Sequence, residues 1–105
     1  MRNDIGGVIV LADEFDVRAE IRQDDLATWV DFHVPSGHVP TSARAGVVAA
    51  VFDLPQVHAG ARLRMSLPLG DAELLAQLRR RCRHFASRAA GSTCLVEAEF
   101  DVAGR

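Results

Sequence analysis

The eight residues from Ile5 to Ala12, IGGVIVLA, contain no charged and no polar side chain, and this run limits the fold more than any other feature of the chain. A continuous apolar stretch of this length between turn signals reads as a strand buried on both flanks, which places it in the middle of a sheet. The next run behaves differently. From 15 to 22, Phe15, Val17, Ala19 and Ile21 alternate with Asp16, Arg18, Glu20 and Arg22, the pattern of a strand with one wet face. Asp13 and Glu14 between the two runs suit a hairpin, and Asp24 and Asp25 turn the chain again before a third strand at 28–34. In that strand Val30, Phe32 and Val34 face inward, while Trp29, Asp31 and His33 share the opposite face.

Pro35, Gly37 and Pro40 interrupt the pattern, after which Thr41 or Ser42 caps a helix that runs to about Leu54 and is stopped by Pro55. Its apolar stripe is Val47, Val48, Val51 and Phe52. The valines and Gly46 give it poor intrinsic propensity, so tertiary packing must hold it. Ala59 and Gly60 turn into a fourth strand at 61–67, where Leu63, Met65 and Leu67 alternate with Arg62, Arg64 and Ser66. Gly70 or Asp71 then caps a second helix, in which Leu74, Leu75, Leu78, Cys82, Phe85, Ala86 and Ala89 recur at helical spacing. Gly91 ends it. A fifth strand at 93–101 alternates Cys94, Val96, Ala98 and Phe100 with Leu95, Glu97 and Glu99.

The expected architecture is one α/β (α+β) domain over residues 1–105. It has a five-stranded mixed sheet, the element order βββαβαβ, two parallel crossovers and two helices on one face. Right-handed crossovers leave the sheet orders 1-2-3-4-5 and 3-2-1-4-5. The apolar first strand favours 3-2-1-4-5, with Arg62 and Arg64 beside Glu97 and Glu99.

A chain of 105 residues that is 49% apolar is long enough for one core without a metal or disulfide staple. Its net charge of -2 and pI near 6.0 remove any bulk attraction to nucleic acid or to an anionic membrane. No stretch approaches the roughly 20 apolar residues of a membrane span, and the opening Met-Arg-Asn-Asp lacks a secretory pattern, so the expected compartment is cytoplasmic. In that compartment Cys82 and Cys94 are expected to be buried thiols. All twelve cationic side chains are Arg, a usage that resembles the codon bias of a GC-rich bacterial genome.

Three groups of residues are candidate sites. Trp29, Asp31 and His33 lie on a sheet face that two one-sided helices leave uncovered, a candidate interface. The same face offers an imidazole beside a carboxylate, with His38 shortly after, but no nucleophile is paired with them. Asp13, Asp71 and Asp101 fall near the carboxyl ends of parallel strands, where clustered oxygens can hold Mg²⁺. As turn and cap residues, Asp13 and Asp71 also have purely structural reasons to be there. Arg79, Arg80 and Arg83 belong to the one dense charge cluster, a candidate anion site that helix-dipole complementation explains equally well. With no Tyr in the chain there is no aromatic interleaving for base stacking.

The order of elements resembles the ribonuclease H-like fold over most of the chain. In that family the first strand, first helix and fourth strand carry the carboxylates that hold two divalent metals. The likeness implies Asp13 and Asp71 as ligands, with Thr41, Ser42, Ala43, Arg44, Ala45 and Gly46 as the helix stretch and Gly46 where the family has its carboxylate. The segment from Ser66 to Phe100 is similar to the C-terminal half of small uncharacterised actinobacterial proteins, a likeness that carries no activity. The leading expectation is therefore a non-catalytic domain without a cofactor that acts by protein association, with itself as a homodimer or with another protein. The alternatives are a divergent divalent-metal phosphodiesterase or nuclease, and an RNA or phosphate-ligand binder using the Arg-rich helix.

Overall fold

Alternation decides the two faces of this sheet. Val17, Ala19 and Ile21, then Val30 and Phe32, Leu63, Met65 and Leu67, and finally Cys94, Val96, Ala98 and Phe100 are all buried, and the residues that alternate with them are not. A computed structural model describes residues 2–5, 7–59 and 62–100. Its elements are β1 (Arg2–Ile5), β2 (Val8–Ala12), β3 (Arg18–Gln23), β4 (Thr28–His33), α1 (Thr41–Phe52), α2 (Pro55–Ala59), β5 (Leu63–Pro68), α3 (Ala72–Arg80), β6 (Cys82–Ala90) and β7 (Thr93–Phe100). The fold is α+β with one mixed sheet in the order β1-β2-β3-β4-β5-β7-β6, and the single parallel pairing is β4 with β5.

The sheet thus has seven strands, not five, and the order 3-2-1-4-5 is not found. The five expected strands follow one another as in the order 1-2-3-4-5, with an extra strand added at each edge. The apolar run is split into β1 and β2, which pair antiparallel with Ile5 opposite Val8, and Gly7 has φ +85°, a conformation that favours glycine. What remains as β2 alternates: Ile9 and Leu11 are buried, while Val8, Val10 and Ala12 are half-buried. β2 lies one strand from the edge, so the inference of a central, doubly buried strand fails.

The other edge overturns the second helix as drawn from spacing. α3 ends at Arg80, and residues 82–90 form β6, paired antiparallel with β7 through a two-residue turn at Gly91 and Ser92. Without it, β7 would present an eight-residue open edge. β6 carries one extra residue between Arg83 and Ala86, a bulge with His84 at φ +51°. The bulge keeps Arg83 and Ala86 on one face and packs Phe85 against the core. Because β6 intervenes, β5 and β7 run antiparallel and only one parallel crossover exists, from β4 through α1 and α2 to β5.

Pro55 does not merely end a helix. It opens α2 at the first-turn position that needs no amide donor, so there are three helices among the described residues. Val47, Val48, Val51 and Phe52 of α1, Val57 of α2 and Leu74 and Leu78 of α3 join one core with the inward strand residues. Phe52 stacks on Phe100 at 5.7 Å between ring centroids. Phe15, expected inward, is 44% exposed, because Asp13 Oδ1 accepts from the Phe15 and Val17 amides and the turn, with Asp16 at φ +64°, throws the ring outward. Cys82 and Cys94 are buried, as expected.

Candidate functional site

The helices supply buried side chains to one face of the sheet, and the other face is built from the alternate strand residues. Register fixes which of these stand side by side. One row crosses the sheet as Arg22, Trp29, Arg64, Glu97 and Ala86, and the next as Val10, Glu20, Asp31, Ser66, Leu95 and Arg88. Trp29, Asp31 and His33 therefore lie on the open face together.

Trp29 is half-buried, and its indole N–H donates to Asp24 Oδ2 at 2.9 Å. The Arg64 guanidinium lies 5.3 Å from the ring centroid, a cation–π contact, and reaches Glu97 at 3.3 Å. Two hollows flank the indole. One, of about 340 Å³, is bordered by Trp29, Asp31, Arg64, Ser66, Leu95 and Arg88. The other, of about 520 Å³, is bordered by Trp29, Val8, Arg22 and Asp24. Asp24 also accepts from the Leu26 and Ala27 amides at 2.8 and 2.9 Å. These two amides and the indole N–H hold its carboxyl below the usual carboxylate range.

Most charges on this face are neutralised within the chain. Ser66 Oγ donates to Asp31 Oδ1 at 2.7 Å, Arg22 lies 3.6 Å from Asp31 Oδ2, and Arg83 lies 3.5 Å from Glu99. His33 turns toward Glu20 at 3.9 Å and Asp31 toward Ser66, so the expected imidazole–carboxylate pair has its members bonded elsewhere. Among the described residues Arg62 and Arg88 have no ion-pair partner, and Glu20, directly opposite Asp31 in a like-charge pair, has His33 at 3.9 Å as its ion-pair contact.

The expected metal ligands do not converge. Asp13 follows β2 and Asp71 follows β5, three strand spacings apart, about 14 Å. A two-metal centre needs ions about 3.5–4 Å apart. Each carboxylate is also engaged: Asp13 closes the β2–β3 turn, and Asp71 caps α3 by accepting from the Leu74 amide at 3.0 Å. Arg44 Nε donates to both Asp71 oxygens at 3.1 Å, with side-chain exposures of only 16% and 8%, and a second nitrogen of Arg44 donates to the Val39 carbonyl. This pair clamps α1 to α3. Asp101 lies outside the described residues, and no group of three His, Cys, Asp or Glu able to hold a metal occurs among those described.

The arginine cluster is dispersed. Arg79 and Arg80 end α3, where they complement the helix dipole, and Arg79 covers the Phe85 ring at 5.2 Å. Arg83 lies on β6, paired with Glu99 on the open face. Arg88, Leu95 and Ala86 complete that face, and the spacing of residues 82–89 had hidden two of them in a helix.

No protein-family model matches the chain, and no curated protein matches it. No helix among the described residues is long and apolar enough to cross a membrane.

Proposed function

We propose that this protein is a non-catalytic cytoplasmic domain that works by protein association, and that the open face of its sheet is the surface it uses. The observation that carries this reading is the position of Trp29. The chain's one tryptophan stands near the middle of the face the helices leave uncovered, oriented by Asp24 and Arg64 and flanked by a hollow on each side. Anchored aromatic side chains beside pockets, ringed by polar groups, are the usual energetic centre of a protein interface. On the same face Asp31 is shared between Ser66 and Arg22, Glu97 is held by Arg64, and the His33 imidazole turns to Glu20 and not to Ser66, which supports binding over chemistry.

The test is positional. A photo-crosslinking amino acid is placed at Ala86, on the open face, and separately at Ala76, exposed on α3, and the full chain is irradiated in the cells that make it. A discrete adduct at 86 and none at 76 is the expected result. Equal adducts at both positions, or none at 86, overturns the reading.

A further inference from the structure

In the seven-stranded sheet the seam between β4 and β5 has β2-β3-β4 on one side, with β1 beyond them at the edge, and β5-β7-β6 on the other. Among the described residues, the first side holds Glu20, whose ion-pair contact is His33 at 3.9 Å, and the second holds Arg62 and Arg88, which make no ion pair. Glu20 and Arg88 lie in the same register row, two and three strands from the seam. A face with opposite charges on its two sides is complementary to itself.

Resting on the open-face reading above, we propose that the occupant is a second copy of this chain, docked face to face about a two-fold axis running along the β4–β5 seam. Such an axis lays each row on its own reverse. Trp29 comes over the second copy's Arg64, Arg22 over its Glu97, and Asp31 over its Ser66. Glu20 comes over its Leu95, with its Arg88 one strand spacing of ~4.8 Å further on, within reach of a flexible side chain. Every contact occurs twice, as an isologous interface requires. The like-charge strain at Glu20 and Asp31 is relieved by the incoming guanidinium. Trp29 sits beside the axis, at the centre, where interface energy concentrates. The face spans roughly 25 by 20 Å, on the order of 500 Å² in projection, the scale at which a partner contributes about 800 Å² of accessible area to a standard interface.

Sedimentation equilibrium of the purified full chain decides the matter. A dimer is expected, weakened about tenfold or more by Glu20→Arg and by Arg88→Glu alone, and restored to within about threefold when both are combined, since the swap re-forms the pair across the axis. Trp29→Ala weakens it as well. A dimer sensitive to Trp29→Ala but indifferent to the charge changes overturns the two-fold arrangement and leaves the open face as the working surface. A strict monomer, with adducts of another mass at position 86 in cells, overturns self-pairing and leaves association with a different protein. A dimer indifferent to all three substitutions overturns both readings.

Discussion

The two faces of the sheet are made by the same strands and differ only in which parity of residue they show, yet they solve opposite problems. On the helix side Ile21, Val30, Leu63 and Val96 are shut away from water, and their contribution is apolar area removed from solvent. On the open side Arg22, Asp31, Arg64 and Glu97 hold one another in half-wet pairs of the kind that typically contribute 1 kcal/mol or less. Stability therefore resides on one face, and the other is free to carry specificity. A surface with little share in the stability of the fold can be altered by substitution without unfolding the chain, as a recognition surface must be.

The sharpest way to break that contrast is to truncate one leucine on each side. Leu78 of α3 is fully buried in the core, whereas Leu95 of β7 faces the open hollow. Leu78→Ala is expected to destabilise by about 3 kcal/mol, combining lost transfer energy with a residual cavity. Leu95→Ala is expected to cost under ~1 kcal/mol, because its surroundings already admit water. Urea unfolding of each variant at dilution, below the association range, checks this; equal losses would show that the open face shares in the core.

A smaller loss tests the clamp that joins α1 to α3 at the edge of that core. Asp71→Ala removes the α3 cap and the Nε partner of the Arg44 guanidinium, which keeps the Val39 carbonyl and Glu73 at 3.6 Å, with an expected loss of about 2 kcal/mol. Asp71→Asn keeps an acceptor for the Leu74 amide and should lose less. If both substitutions fell within ~0.5 kcal/mol of the parent chain, the clamp would be no more than a surface pair, and the difference between the two faces would rest on apolar packing alone.

What was legible in the sequence follows the same division. Strict parity revealed the inward residues of β3, β4, β5 and β7, the stripe of α1, the shared face of Trp29, Asp31 and His33, and the Arg64–Glu97 pair. The two edge strands are hidden in the sequence, although a glycine pair precedes β2 in the sequence and Gly91-Ser92 turns the chain after β6. At the first edge a run of apolar residues masked the turn, since Val8 and Val10 of the half-wet face are as apolar as Ile9 and Leu11 of the core. At the second, the bulge at His84 shifted the parity of β6, and Cys82, Phe85, Ala86 and Ala89 then imitated a helical stripe. The β6 strip of the open face, with Arg83, Ala86 and Arg88, is hidden for that reason. Glu99 pairs with Arg83 of the unread strand and not with Arg62.

The smallest expected effect sharpens the comparison at its most exposed point. Asp24 is held in its charged form by the Ala27 and Leu26 amides and the Trp29 indole N–H, so its folded pKa lies below its unfolded value. A group depressed in this way adds stability above its unfolded pKa and loses it as pH falls through the folded one. The carboxylate is fully exposed, and the change should appear less in global unfolding than in the indole, which loses its charged acceptor when Asp24 takes up a proton. Emission from Trp29 is expected to titrate in acid with a midpoint below the usual carboxylate range, before the core melts, and Asp24→Asn should abolish that step. A midpoint at the ordinary value, or an unchanged step in the Asn variant, would mean that Asp24 does not hold the indole. The orientation of Trp29 would then rest on Arg64 alone, and the open face would be looser at its centre than the two-fold packing of two copies requires.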